Sequence, residues 1–450
     1  MKKMERSDFI LRPSSIVHHY FNVMNQIIII ADDLTGAADT GVQFYPFYDD
    51  TILLSYLQLA DATAPTPGSA LALYTNSRAL EMMTAQKRLR SVARGLSELK
   101  RFRTYKKMDS CLRGNPGAET EALMDGSAYE ASFIAPAFPE MGRTTVNGNH
   151  LVHGIPVGQT EISRDPITPV TESDLCRLVQ SQCRYPVGHI GLIFLEGEED
   201  ALGNEVERQF QQGIRHIVFD ATCREHLDRV ARLIYACSHR ILPVGSAGLA
   251  AGLGGLMSPR PILKNHGQRS SEGGNFLLVC GTKSEVTRRQ IETLMATYPY
   301  EEIALHPGML TDEKGRDAIL AKASLVRSKL SVNHIIVTID FSRPLAVSGR
   351  HLSQKQAAQL LLEGLGRFLA QVLRETRPGL LFLTGGDTAD AAITAAGGKG
   401  IRIFGEITTG VVRGTLIGGI LDGVPVVTKA GAFGGEDTLV VLHEKLLEKG

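Results

Sequence analysis

Short apolar runs, each closed by a polar or Gly-bearing turn and followed by a helical stretch, recur along the whole chain. The first is residues 26–30, where Gln26 precedes four isoleucines. A continuous β-branched run of this kind suits a parallel strand buried on both faces. Residues 51–55, 70–74, 103–107, 131–134, 190–194, 216–219 and 240–243 read as further strands. Helical periodicity fills the gaps at 81–99, 118–125, 198–213 and 224–236. Beyond residue 275 the alternation resumes, with strands at 276–279, 302–305, 334–339 and 380–383. The pattern predicts an α/β protein of two domains, each a mostly parallel sheet flanked by helices.

A break in the periodicity marks the boundary. Residues 245–255 are rich in Gly and Ala, and 258–274 are polar, carry Pro and Gly, and show no apolar period. The expected division is therefore 24–257, a linker at 258–274, and 275–450. Residues 1–23 are polar and irregular, without the apolar core of a signal peptide, and read as a flexible extension. A chain of 450 residues is long enough for two cores. Residues 137–171, rich in Gly, Pro and Thr and including His150 and His153, are too long for an idle connector and read as a substrate-proximal loop.

Three Gly-containing turns follow apolar runs in the second domain: one at Gly281 to Ser284, one at Gly385-Gly386-Asp387-Thr388, and one from Lys429 to Gly435. A helix N-terminus presents unpaired N–H groups and a positive dipole end, so strand–turn–helix units of this sort bind anions. Ser284, Gly385, Gly386, Asp387, Thr388, Gly431 and Gly434 are the expected nucleotide-binding residues. Asp387 is the acid placed to serve Mg²⁺, directly or through water, and the metal's ligand set stays open. No GxxxxGK[ST] motif is present, no GxGxxG follows the first strand, and the protein-kinase motif set is missing.

In the first domain the chemistry gathers after strands. Asp32 and Asp33 follow the first, where open α/β sheets place ligands. A capping role for Asp33 accounts for one acid but not both. Arg78 follows the third strand, and Lys106, Lys107, Asp109, Ser110 and Arg113 cluster after the fourth. Cations there would bind an acid, with arginine doing so bidentately, while carboxylates would accept from hydroxyls. Asp109 and Asp33 are the candidates to orient a reacting hydroxyl and take its proton, with Asp109 ranked first. Lys107 and Arg113 beside Asp109 should keep its pKa low.

These residues fall within longer motifs. ADDLTGAADTG begins at Ala31, YKKMDSCLRGNPGAE at Tyr105, GRTT at Gly142, LPVGSAGLA at Leu242, GTKSEVTRRQ at Gly281, LFLTGGDTA at Leu381 and VVTKAGAFG at Val426. Taken in order, from Met24 onward, they resemble the four-carbon acid sugar kinases. The resemblance implies an N-terminal sugar-acid domain, a C-terminal ATP domain and an active site in the cleft between them. It further implies Mg²⁺-dependent transfer of the ATP γ-phosphoryl group to the terminal C4 hydroxyl of a tetronate. Lys106-Lys107 and Leu112-Arg113 favour the threonate type, with erythronate as the neighbouring substrate, over the 3-oxo-tetronate type. Cys111 stands where relatives commonly carry Thr.

Composition narrows the field. Forty-eight basic and 48 acidic residues give zero formal charge, and there is no Trp. No nucleic-acid or membrane partner is expected. The six cysteines form no CxxC pair and read as free thiols in a cytoplasmic protein. The partner is a small sugar acid, and a homo-oligomer is compatible with the sequence. Two readings compete with a kinase: a non-catalytic nucleotide-binding regulator, which has no need of the Asp/Lys/Arg clusters, and an NAD(P)-dependent oxidoreductase, which lacks its fingerprint.

Overall fold

Strand β1 (Ile27–Ala31) is buried along its whole length, as its apolar run requires. It belongs to a computed structural model that describes residues 26–59, 68–97, 102–260, 274–312, 315–342 and 353–447. The expected extension 1–23 and most of the expected linker lie outside the described residues. The chain forms two compact units, one of residues 1–49 and 56–260, the other of residues 50–55 and 261–450. Strand β2 (Asp50–Ser55) thus belongs to the second unit.

The first unit continues with β3 (Ser69–Tyr74), β4 (Arg103–Lys107), β5 (Ala131–Ala135), β6 (Arg143–Val146), β7 (Asn149–Val152), β8 (Ile155–Pro156), β9 (Val187–Ile190), β10 (His216–Phe219) and β11 (Ile241–Gly245). Its main sheet runs β3-β1-β4-β11-β5-β10-β9, and every pairing in it is parallel. Ala31 lies opposite both Tyr74 and Lys107, so Asp32, Thr75 and Met108 leave three neighbouring strands at one level. Strand order reverses around β1, which is where a parallel sheet opens a crevice.

Two expectations change here. Residues 190–194 were expected as one strand; β9 ends at Ile190, and Leu192–Leu195 is a helical turn. A short apolar run does not by itself distinguish the two. The stretch expected as a loop contains a three-stranded antiparallel sheet, β6-β7-β8. Its tight turns are Asn147-Gly148, with φ of 50° and 74°, and His153-Gly154, with φ of 50° and 79°, left-handed pairs of the kind that two-residue hairpins favour.

The second unit contains β12 (Phe276–Cys280), β13 (Tyr300–Leu305), β14 (His334–Ile339), β15 (Leu380–Thr384), β16 (Gly400–Thr408), β17 (Val411–Ile417) and β18 (Pro425–Lys429). Strands β13-β14-β12-β15-β18 are parallel, and β17, β16 and β2 extend the sheet antiparallel. Phe276, Leu278, Ile336, Phe382 and Val427 are among the residues that form its core. Residues 51–55 were expected to strengthen the first domain. Instead, Leu54, Leu53 and Ile52 pair with Gly400, Ile401 and Arg402, and Arg402 Nε donates to Asp50 Oδ1 at 3.1 Å. A side chain at Gly400 would collide with the carbonyl of Leu53.

Candidate active site

The first unit's site forms where β1, β3 and β4 end. Asp32 and Arg78 make a two-point pair, Nε to Oδ2 at 2.6 Å and Nη2 to Oδ1 at 3.0 Å. The same Nη2 donates to Asp33 Oδ1 at 2.7 Å and lies 3.5 Å from Asp109 Oδ1. Asp33 also caps its helix, accepting from the Gly36 N–H at 3.0 Å and the Thr35 hydroxyl at 2.7 Å. Capping and cluster membership therefore coexist in one carboxylate. Arg113 grips Asp109 with Nε and Nη2 at 2.8 and 3.0 Å, and the backbone N–H of Cys111 and Arg113 complete that carboxylate's partners.

Three buried carboxylates thus share two guanidiniums. Burial pushes the Asp109 carboxyl up, but Arg113 and Arg78 outweigh it and hold the pKa well below the ordinary value. Asp32 behaves alike: burial opposes ionisation, Arg78 overrides it, and the pKa ends lowered. Both are ionised at neutral pH, so they are acceptors for hydroxyl protons rather than strong bases.

The backbone here is strained where the side chains converge. Leu112 has φ of 65°, a left-handed value that branched residues avoid, and Gly114 has φ of 90°. A Cβ at Gly114 would sit 3.3 Å from Arg78 Cα. The Asp109–Asn115 turn is therefore pressed against Arg78, and a non-Gly left-handed residue costs about 1–3 kcal/mol that the surrounding contacts must offset.

Lys106 and Lys107 separate. Successive residues of a strand face opposite sides of a sheet. Lys107 Nζ donates to the Met108 carbonyl at 2.8 Å, and a Cβ built on Gly36 would lie 3.0 Å from it. Lys106 points the other way, to Glu119 at 2.8 Å, and both members of that pair are 1% exposed. Lys106, expected among the substrate-binding residues, thus pairs inside the protein and also bears electrostatically on Asp32. Ser110 is buried and its carbonyl accepts from His150 Nε2 at 2.8 Å, while His150 Nδ1 meets the Thr145 hydroxyl at 3.0 Å. Burial draws the His150 pKa down to about 4, so the ring is neutral and ties the small sheet to the Asp109 turn. That link was not legible in the sequence, where His150 carried no role.

In the second unit the three Gly turns leave the sheet together. Cys280 lies opposite Thr384, and Thr384 opposite Lys429. A Cβ on Gly281 would lie 2.4 Å from Thr388 Oγ1, and one on Gly431 2.7 Å from Thr282 Oγ1. Thr287 Oγ1 donates to the Gly431 carbonyl at 2.8 Å, and the Gly385 N–H to the Lys429 carbonyl at 2.9 Å. Ser284 and Gly385 are the N-cap residues of their helices, and neither makes a side-chain cap bond. Gly385 has φ of 95° and Gly434 φ of 88°. Asp387 stands in the first turn of its helix beside the buried Thr388. The sequence-expected set Ser284, Gly385, Gly386, Asp387, Thr388, Gly431 and Gly434 is thus brought to one edge. Lys429, at the end of β18, was absent from that set. Among the described residues no group of three or more His, Cys, Asp and Glu could hold a metal ion, and no helix is long and apolar enough to cross a membrane.

Residues 27–253 match the family model described as a sugar-binding N-terminal domain, and residues 277–439 the one described as a nucleotide-binding C-terminal domain. A D-threonate kinase of Salmonella typhimurium is 32% identical over 92% of this chain and 96% of its own length. A D-erythronate kinase of Heliobacterium modesticaldum is 28% identical, over 95% and 98%. A crystal structure from Salmonella typhimurium LT2 shares the fold, with a TM-score of 0.74 at 23% identity, covering 94% of this chain and all of the other. Two α/β units, one sugar-binding and one nucleotide-binding, define a phosphotransferase with an alcohol group as acceptor. The chain belongs to the four-carbon acid sugar kinase family.

Proposed function

We propose that this kinase transfers the γ-phosphoryl group of ATP to the C4 hydroxyl of D-threonate, with D-erythronate as the nearest competing acceptor. Three buried carboxylates around two guanidiniums carry the acceptor assignment, because hydroxyls need acceptors and a carboxylate needs cations. The preference for D-threonate rests on similarity. D-threonate kinases of Salmonella typhimurium and Bordetella bronchiseptica are 32% and 33% identical, against 26% for a 3-oxo-tetronate kinase of Brucella melitensis.

In this reading Arg113 and Lys107 receive the acid, since Arg113 keeps 28% of its side chain exposed while holding Asp109. Asp32 and Asp33 accept from hydroxyls, and Arg78 fixes their orientation. Asp109 aligns the reacting hydroxyl and takes its proton late, as a loose phosphoryl-transfer transition state demands little of a base. The Gly281, Gly385 and Gly431 turns hold the phosphates. Asp387 would hold Mg²⁺, directly or through water, and the ion would supply charge neutralisation to the phosphates.

A coupled ADP assay with D-threonate, D-erythronate, L-threonate and 3-oxo-tetronate tests the proposal. ADP formation that requires D-threonate supports it. Turnover confined to the 3-oxo acid transfers the substrate to that class, and acid-independent nucleotide binding without turnover returns the regulator.

A further inference from the structure

Lys429 is an ammonium enclosed in protein. Its residue is 1% exposed, and Nζ donates to the carbonyls of Ala430 at 3.0 Å, Gly431 at 3.2 Å and Phe433 at 3.1 Å, and contacts Thr287 Oγ1 at 3.3 Å. The loop after β18 is therefore wrapped with its carbonyls inward around a cation. A trans peptide points its C=O and the next N–H in opposite directions. The N–H groups of Gly431, Ala432 and Gly434 follow those three carbonyls, so they face away from Lys429. None of the three donates to an acceptor among the described residues. Runs of outward N–H groups form anion-binding concavities.

We propose that Lys429 is a positioning residue for nucleotide phosphate. It does not touch the ligand. Its buried charge turns the Gly431–Gly434 peptides so that their N–H groups converge outward on a phosphate. Thr287 is its partner in this, because its hydroxyl donates to the Gly431 carbonyl while sharing Lys429. The inference rests on the nucleotide-binding reading of this unit. Burial draws the Lys429 pKa down to about 8, because desolvation disfavours the charged form.

The measurement is ADP affinity of the full-length chain by titration calorimetry, for wild type, Lys429→Met, Thr287→Val and the double variant. Each single variant is expected to weaken ADP by about tenfold, with D-threonate affinity unchanged. The double variant should be no weaker than Lys429→Met, since both act through one loop. Unchanged ADP affinity in a folded Lys429→Met, or additive losses in the double variant, overturns the proposal. Should Lys429→Met not fold, wild type still decides: hydrogen exchange of the 429–435 amides must slow on ADP binding, and unslowed exchange in an ADP-saturated protein refutes the nest. A wild type that binds no ADP at all fails the nucleotide reading instead, which separates the two.

Discussion

Arg78 is the keystone of the acid cluster, and replacing it with Met tests that directly. Its guanidinium, with 18% of the side chain exposed, is the shared partner of Asp32 and Asp33, whose side chains are 3% and 10% exposed, and borders Asp109. Removing one member of a buried pair typically costs about 3–5 kcal/mol, because the charge left behind is desolvated and unpaired. Asp109 retains Arg113, so the loss falls on Asp32 and Asp33. For a unit of this size that corresponds to a fall in melting temperature of roughly 10 °C. The chain has no Trp, so far-UV circular dichroism is the natural signal.

The penalty has a pH signature. In the native protein Asp32 is held below its unfolded pKa, so it adds stability above that value and loses it as pH falls through the folded one. Without Arg78, burial, the largest influence, is opposed only by the weaker pulls of Lys106 and Lys107, and the folded pKa is expected to rise above the unfolded one. Asp32 then costs stability at neutral pH, and the cost shrinks as the solution is acidified. Arg78→Met should therefore be closer to wild type at pH 5 than at pH 7.5. A loss below about 1 kcal/mol, the range of surface pairs, or a penalty that is the same at both pH values, would refute the cluster as described.

Arg78→Ala should also weaken sugar-acid binding while leaving ATP binding nearly unchanged, and the reverse result would mean that the two units' ligands are exchanged. Asp109→Asn keeps the shape and removes the charge, so kcat should fall about 10²–10⁴-fold with the ATP KM little altered; near-normal turnover with Asp33→Asn inactive moves the role to Asp33. Gly386→Val should raise the ATP KM in a folded protein, and an unchanged KM would remove that turn from the nucleotide site. Lys106→Met leaves Glu119 buried without its cation and should cost about 3–5 kcal/mol, most of which Lys106→Met with Glu119→Leu should restore.

What the sequence disclosed and concealed follows from range. β-branched runs such as residues 27–30 identify buried strands because the signal is local. The three Gly turns were legible for the same reason, and strand register then places them together. The hairpin of β16 and β17 went unread, although its burial alternates along β17. The cluster of charges in the sequence did not show that Lys106 is taken up by a buried ion pair. Its partner Glu119 lies on a helix after the turn, so the pairing is tertiary. Lys429 escaped because a cation beside glycines suggests phosphate contact, whereas the carbonyls that enclose it depend on how the loop folds back.

Strand β2 carries a consequence for how the chain comes into being. Its register partners, Gly400 to Arg402, emerge from the ribosome about 350 residues after it, roughly 20–70 s at ordinary elongation rates. Throughout that interval β2 exists and its partner β16 does not. The first unit, residues 1–49 and 56–260, is complete in sequence long before residues 400–402 exist. Severing the chain at residue 260 would part β2 from its register partners, and the C-terminal fragment would expose the edge of β16 to whatever strand it meets first.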